Sequence, residues 1–177
     1  MISSESHDHP ATFDSRVIRS LIHDLEFGIQ ELDHELDEFS PVFDLADLRS
    51  FDLVEGLAVG AALQGLYTGL EKTLLVASER LIGKLEKGDK WHEELLLRCK
   101  ITVGSLPPLL SDSSIEKLRV YKNFRHVFRA SNASRVAPER VQDLLRGFKP
   151  VWVAVKRDLV GFLEASRELE KKSPIGS

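Results

Sequence analysis

The residues best suited to chemistry on a charged substrate form one stripe in the second half of the chain. Arg119, Lys122, His126 and Arg129 follow one another at intervals of three, four and three positions, which places them on one face of an α-helix. Four such groups repel one another unless an anion or acidic neighbours compensate them. A guanidinium binds phosphate, and a histidine transfers protons near neutral pH. The stripe therefore predicts a phosphate-binding surface, and its alternative is a solvated basic face with a half-buried histidine.

The charge of the chain is divided unevenly along its length. Residues 115–160 contain eleven basic and four acidic side chains, a net charge of +7, whereas the whole chain has a net charge of −4. Residues 161–177 are neutral overall, so residues 1–114 carry −11. A basic half and an acidic half favour self-association, binding of an oppositely charged protein, or binding of a phosphate backbone.

Helical periodicity dominates the elements that must position this stripe. We predict an all-α, up-and-down bundle of four to five helices. The first is capped by Asp14 or Ser15 and ends or bends at Ser40-Pro41, and the second runs from near residue 47 or 50 to Gly83 or Gly88. The others span about 90–103, 115–130 and 138–170, with Pro150 expected to kink or divide the last.

The second predicted helix is rich in small residues. Gly56, Gly60, Gly65 and Gly69 all fall within it, and each glycine costs helix stability of about 1 kcal/mol relative to alanine. Close approach of a neighbouring helix explains such accumulation. A membrane span is disfavoured because Glu55, Gln64, Glu71 and Lys72 interrupt the apolar run.

The chain length fits one domain. We expect a flexible leader over residues 1–13, a single helical domain over 14–170 and a flexible tail over 171–177. The leader lacks an export signal, and the single cysteine, Cys99, cannot form an internal disulfide, so we expect a cytoplasmic protein.

Other candidate sites are weaker. His7-Asp8-His9 in the leader is more typical of a solvated terminus than of a metal site, and His23 and His34 are expected to form local ion pairs on an acidic helix. His92, beside Trp91, is as typical of packing as of ligand binding. No phosphate loop, zinc ligand set or catalytic serine arrangement is recognisable, so we predict no metal site and no cofactor.

Three groups of residues resemble a known family. Tyr67-Thr-Gly-Leu-Glu-Lys72, then Gly88-Asp-Lys-Trp-His92 with Glu94-Leu-Leu96, then Phe124-Arg-His-Val-Phe-Arg129 with Pro138-Glu-Arg140 are similar to successive landmarks of the HepT-like members of the HEPN superfamily. They occur in the order of that family and at about its spacing. The similarity runs from about residue 15 to about residue 165.

The resemblance implies a function and partners. HepT-like proteins are helical bundles that dimerise so that two copies of the motif helix meet in a cleft. At this dimer cleft they act as metal-independent endoribonuclease toxins on transfer or messenger RNA. A protein of the minimal nucleotidyltransferase fold neutralises them. Their motif is an arginine followed four to six residues later by a histidine, often with a tyrosine two residues beyond. The guanidinium would stabilise charge on the phosphate, and the histidine would move a proton at the 2′-hydroxyl or the leaving oxygen.

The sequence departs from that motif at its histidine. If Arg125 is the motif arginine, the histidine position holds Ala130 and the tyrosine position holds Asn132, and neither can supply the missing chemistry. In a second register, Arg119 holds the phosphate and His126 acts as acid or base, but this register lacks the surrounding sequence match and the tyrosine.

Two hypotheses follow for the site. In the first, Arg125, His126 and Arg119 are the catalytic residues of an endoribonuclease, and Lys122, Asn123 and Arg129 bind RNA. Glu71 would then orient a motif arginine, although it is equally suited to pair with Lys72 or Lys84. In the second hypothesis the chain is a non-catalytic binding partner of a nucleotidyltransferase antitoxin. We expect ribonuclease ancestry with weakened or lost catalysis.

Overall fold

A computed structural model describes residues 14–130 and 137–172 of this protein. Those residues form six helices and no strand, so the prediction of an all-helical bundle is confirmed. The helices are α1 (Ser15–Glu38), α2 (Ser40–Leu48), α3 (Leu53–Ile82), α4 (Trp91–Arg98), α5 (Asp112–Ala130) and α6 (Pro138–Lys172). The predicted leader over 1–13 and most of the predicted tail, residues 173–177, lie outside the described residues.

Three long helices, α1, α3 and α6, pack against one another and form the centre of the bundle. Each contributes an apolar stripe at helical spacing, with fully buried side chains such as Leu21 and Leu25 on α1, Leu70 on α3 and Phe162 on α6. α5 packs on α3 and α6, and α4 packs on α3. The site-bearing helices therefore share α3 as their common support.

The helix boundaries differ from the sequence prediction where local capping chemistry was not recognised. Ser40-Pro41 begins α2 rather than leading into a loop, because proline is compatible with the first turn of a helix. α3 begins only at Leu53, where Asp52 and Glu55 form a reciprocal capping box. α4 is shorter than predicted and ends at Arg98.

α6 continues without division from Pro138 to Lys172, although Pro150 lies inside it. Proline lacks the N–H that would bond to the carbonyl four residues earlier, so one helical hydrogen bond is absent there. Packing of α6 against α1, α2, α3 and α5 holds the helix together on both sides of this position.

Two of the four glycines named in α3, Gly56 and Gly60, allow the predicted close approach of a neighbouring helix, whereas Gly65 has no neighbour within 4 Å. A Cβ atom on Gly60 would lie 2.5 Å from Cε2 of Phe128 on α5, and one on Gly56 would lie 2.9 Å from Cβ of Pro138. Any larger residue at either position would collide with a neighbouring helix. The glycines thus set the distance at which α5 and the start of α6 meet α3.

α3 is also long and apolar enough, by length and composition alone, to cross a membrane. It packs against α1, α4, α5 and α6 and buries a charged side chain, Glu71, on its inner face. These contacts are typical of the core helix of a soluble bundle.

Candidate functional site

The rotation of α5 decides which of its side chains reach solvent. Leu118, Tyr121 and Phe124 are buried, and Phe128 is partly buried against the core. The Tyr121 hydroxyl donates to the backbone carbonyl of Leu144 at 2.9 Å, which ties α5 to α6. The opposite side of α5, with its basic residues, is therefore turned away from the core.

This basic side of α5 faces the start of α4 across a cleft of about 670 Å³. The cleft is lined by Lys87, Gly88, Asp89, Lys90, Trp91, His92, Glu93, Lys122, Asn123, Arg125, His126 and Arg129. We call this the α4–α5 cleft. Five of the predicted site residues line it: Lys122, Asn123, Arg125, His126 and Arg129. It also contains two basic residues from the α3–α4 loop, Lys87 and Lys90, so its positive charge comes from both walls.

At the base of the cleft, three side chains from three helices form a continuous chain of contacts. His92 on α4 lies with Nδ1 at 2.6 Å from Oε1 of Glu71 on α3, and with Nε2 at 2.8 Å from a terminal nitrogen of Arg125 on α5. Arg125 Nε lies 3.7 Å from Oε2 of Glu71. We call these residues the Glu71–His92–Arg125 cluster. It carries one negative and one positive charge with a histidine between them.

The hydrogen bonds of the cluster determine the protonation of His92. A guanidinium nitrogen can only donate, so the bond from Arg125 requires a lone pair on Nε2. The proton of the neutral ring then resides on Nδ1, which donates to the Glu71 carboxylate. Burial lowers the pKa of His92 below its usual value, Glu71 opposes this, and the charges of Arg125 and Arg129 lower it further. His92 is therefore a neutral base with an oriented ring.

Glu71 is a buried carboxylate whose negative charge must be compensated by neighbouring side chains. Its side chain is only 3% exposed, and Oε2 accepts no hydrogen bond from the described residues. Burial and the neighbouring Glu71 carboxylate both raise the pKa of Tyr67, whose hydroxyl is also buried. The carboxylate thus depends on His92 and Arg125 for compensation. Of the alternatives left open by the sequence, Glu71 contacts Arg125 rather than Lys72 or Lys84.

Arg119 occupies a different environment from the other predicted site residues. Its guanidinium contacts Glu93 at 2.6 Å and also pairs with Glu116, and it does not line the α4–α5 cleft. Lys122 pairs with the same Glu93 carboxylate, and the two cations lower the pKa of Glu93. The acidic neighbours that would compensate the basic stripe are thus present at its N-terminal end. At the other end, His126 and Arg129 are exposed, and no carboxylate of the described residues lies within ion-pair distance of Arg129.

His92 is the site residue that the sequence interpretation did not select. It was noted beside Trp91 as a packing feature, and its ring does lie 3.7 Å from the Trp91 ring. The available signal was that Glu71 and His92 each lie in a stretch that resembles the family. Their contact, however, depends on how α3 packs against α4. The described histidines other than His92 and His126 lie on α1, where His34 pairs with Glu38 at 3.8 Å.

Within residues 14–130 and 137–172, no group of three or more histidine, cysteine, aspartate or glutamate side chains is arranged to hold a metal ion. His7-Asp8-His9 lies outside this part of the chain. Cys99 is a buried core residue, and burial raises the pKa of its thiol to about 12, so it is not a reactive nucleophile. The cationic and histidine side chains that line the cleft are able to transfer protons and to stabilise anionic charge.

The structure describes one of the two positions at which the sequence departs from the motif. Ala130 is the last residue of α5, and Asn132 lies outside the described residues. An alanine at the end of α5 contributes no proton donor or acceptor beyond its backbone.

Comparison with known proteins identifies a family. The family model described as HepT-like protein matches residues 58–166, a segment that contains α4, α5 and most of α3 and α6. Searches of curated proteins and of solved structures found no match. The matched segment includes the whole Glu71–His92–Arg125 cluster and covers more than half of the chain. The chain therefore belongs to the family of HepT-like proteins, whose ancestry is that of HEPN-type toxins.

Proposed function

We propose that this protein is a cytoplasmic, metal-independent endoribonuclease of the HEPN type, with weak activity, which binds RNA in the α4–α5 cleft. The observation that carries this proposal is the composition of the cleft: Lys87, Lys90, Lys122, Arg125 and Arg129 line it together with His126. Cations on both walls favour a phosphate backbone between them. A volume of about 670 Å³ is in the range of small-molecule sites and accommodates a nucleotide.

The side chains of the cleft are suited to the separate tasks of RNA binding. Lysines and arginines contact phosphates without reading sequence, and Asn123 offers an amide that can donate to or accept from a base or a ribose. Trp91 lines the same cleft, and stacking of an unpaired base on its ring would replace the Lys87 ammonium that lies over it at 5.3 Å. This combination favours single-stranded or looped RNA over a regular duplex.

Cleavage without a metal requires the 2′-hydroxyl of the RNA as nucleophile. Arg125, already directed into the cleft, would stabilise the negative charge that develops on the phosphate. His126 is exposed in the cleft and would transfer one of the two protons that the reaction moves. Because Ala130 stands at the motif histidine position, we expect slow cleavage. The register that pairs Arg119 with His126 is less supported, since Arg119 is held by Glu93 and Glu116 outside the cleft.

The test is a cleavage assay on total transfer RNA with chelator present. We expect slow cleavage by the unmodified chain and less by His126→Ala and by Arg125→Ala. Restoring the motif by Ala130→His should raise the rate by about 100-fold or more, the usual contribution of a positioned acid or base. The proposal is wrong if the unmodified chain leaves RNA intact.

A second candidate function is a non-catalytic partner of a nucleotidyltransferase-fold antitoxin. The observation that favours it is the loss of both the motif histidine and the motif tyrosine, at Ala130 and Asn132. An inert chain that becomes active only as Ala130→His, and that copurifies with a coexpressed small nucleotidyltransferase, would support this function over the first.

We also propose that the protein forms a homodimer through α5. Val120 and Val127 lie two turns apart on this helix, with relative exposures of 51% and 49%. Apolar side chains at helical spacing on an exposed face are typical of a helix–helix interface. Light scattering coupled to size-exclusion chromatography should give the mass of a dimer, and Val120→Glu should give that of a monomer.

A further inference from the structure

We propose that His92 is the general base of RNA cleavage in this chain and takes over one of the two proton transfers for which the motif lacks a histidine. This inference rests on the proposed ribonuclease function. It goes beyond that function because it assigns the general base to a residue of α4 rather than to a residue of the motif helix α5. The candidate follows from the Glu71–His92–Arg125 cluster and from its position at the base of the cleft.

Attack by a 2′-hydroxyl requires one group that accepts a proton and one that donates a proton. One bond forms between the 2′ oxygen and phosphorus, while the bond from phosphorus to the 5′ oxygen breaks. The 2′ proton goes to a base, and the departing 5′ oxygen takes a proton from an acid. The products are a 2′,3′-cyclic phosphate and a 5′-hydroxyl, so atoms and charge balance without a metal or a second substrate. His126 alone cannot fill both roles within one event.

The contacts of His92 give it the properties of a base. Glu71 accepts the hydrogen bond from Nδ1 and thereby leaves the lone pair on Nε2, whose partner Arg125 lines the cleft. A buried carboxylate behind an imidazole also stabilises the imidazolium that forms when Nε2 accepts a proton. The His92 side chain is 22% exposed, which is accessible to a substrate atom, whereas Glu71 behind it is only 3% exposed.

Arg125 links the base to substrate binding. In the absence of RNA its guanidinium donates to Nε2 of His92 and so occupies the position where a substrate proton would arrive. A phosphate is a stronger acceptor for a guanidinium than a neutral imidazole, because the bond to an anion is charge-assisted. Phosphate binding would draw Arg125 away from Nε2 and free it beside the 2′-hydroxyl. The base would therefore become available only when the phosphate is in place.

The charged groups around His92 come from every neighbouring element. Glu71 on α3 favours protonation, Arg125 and Arg129 on α5 oppose it, and Lys87, Asp89 and Lys90 of the α3–α4 loop, with Glu93, Lys122 and His126, line the same cleft. The net effect is that the pKa of His92 lies below its usual value, with burial as the largest cause. A base of this kind is unprotonated at neutral pH.

The experiment compares single-turnover cleavage by the unmodified chain, His92→Asn, Glu71→Gln and His34→Asn, with chelator present. The asparagine amide can still donate to Glu71, so His92→Asn keeps that buried contact, while it removes the base together with the contacts of the ring to Arg125 and Trp91. His34 is an exposed histidine on α1 that does not line the cleft, and it serves as the matched control. Binding is measured separately by fluorescence anisotropy on a 2′-O-methyl RNA, which cannot be cleaved.

We expect His92→Asn to lower the cleavage rate by about 100-fold or more while binding of the 2′-O-methyl RNA is retained. His34→Asn should cleave as the unmodified chain does. Glu71→Gln tests Glu71 as a positioning residue: it should slow cleavage and shift the acidic limb of the pH–rate profile to lower pH, because the carboxylate raises the pKa of His92. A purely structural role for Glu71 would lower the rate without moving that limb.

The outcomes separate this inference from the function on which it rests. If the unmodified chain cleaves RNA and His92→Asn cleaves equally well, the inference is wrong and the ribonuclease function stands. If His92→Asn loses RNA binding together with cleavage, His92 is a binding residue and the inference is also wrong. If the unmodified chain does not cleave, both fail. Should His92→Asn be unfolded by circular dichroism, His92→Gln is assayed with the same readouts and the same interpretation.

Discussion

Removing Arg125 should lower the free energy of unfolding, because the buried carboxylate of Glu71 then loses its cationic partner. We consider Arg125→Met, which keeps much of the side-chain volume and removes the charge. Glu71 is 3% exposed and Arg125 is 12% exposed, so water cannot readily replace the lost partner. Breaking a buried ion pair by removing one member typically costs about 3–5 kcal/mol. His92 keeps its bond to Glu71, so we expect the lower end, about 3 kcal/mol in the free energy of unfolding at neutral pH.

The loss in free energy of unfolding caused by Arg125→Met should become smaller as the pH falls. Arg125 lowers the pKa of His92, so its removal raises the pKa of His92 in the folded protein. The folded variant then binds a proton at His92 more readily than the folded unmodified chain does, so acidification lowers its free energy of unfolding by less. An imidazolium at position 92 would also supply the positive charge that Glu71 has lost. The difference between Arg125→Met and the unmodified chain should therefore narrow on acidification.

The assay is urea denaturation followed by circular dichroism at about pH 7.5 and about pH 5.5, on either side of the usual histidine pKa. Lys122→Met is the matched control: it removes a cation from the same helix, but its partner Glu93 is 32% exposed, and such pairs contribute about 0–1 kcal/mol. The reasoning is refuted if Arg125→Met lowers the free energy of unfolding by no more than Lys122→Met does. It is also refuted if the loss for Arg125→Met is the same at both pH values.

Two further predictions concern packing and binding. Gly60→Ala should lower the free energy of unfolding by about 1–3 kcal/mol, because its Cβ would collide with Phe128 at 2.5 Å. By contrast, a Cβ atom on Gly65 would have no neighbour within 4 Å, so Gly65→Ala should raise the free energy of unfolding by about 0.5–1 kcal/mol through helix propensity. If both variants shift the melting temperature equally, the close approach of α3 and α5 is contradicted. Binding of single-stranded RNA should weaken with salt, and the double variant Lys87→Ala/Lys90→Ala should reduce the slope of log affinity against log salt by about 1.4, or 0.7 per phosphate contact. An unchanged slope in a salt titration by fluorescence anisotropy would exclude these lysines from phosphate binding.

The sequence alone predicted most of the helical framework. Apolar residues at intervals of three and four determine which side of a helix is buried, and α5 follows this local pattern, with Leu118, Tyr121 and Phe124 inward. The sequence also predicted close packing at Gly56 and Gly60. Boundaries such as the start of α2 at Ser40 were missed, because a Ser-Pro pair is compatible with both the end of one helix and the first turn of the next.

The candidate site was likewise predictable in part, for residues that share one helix face and not for contacts between helices. Lys122, His126 and Arg129 share a face of one helix, so their spacing was sufficient to group them, and the tertiary structure then brought a second cationic wall from the α3–α4 loop to meet them. Spacing could not show that Arg119 is held outside the cleft by Glu93, which belongs to another helix.

The Glu71–His92–Arg125 cluster was decided only by the tertiary structure. His92 is 21 residues from Glu71 and 33 residues from Arg125, and the three side chains come from three different helices. Helical periodicity relates residues three or four positions apart and carries no information about contacts over such separations. Those contacts depend on how closely α4 and α5 approach α3, which is set by the packing of side chains and glycines along α3. The sequence determined which side chains each helix presents, and the packing of the helices determined which of them meet.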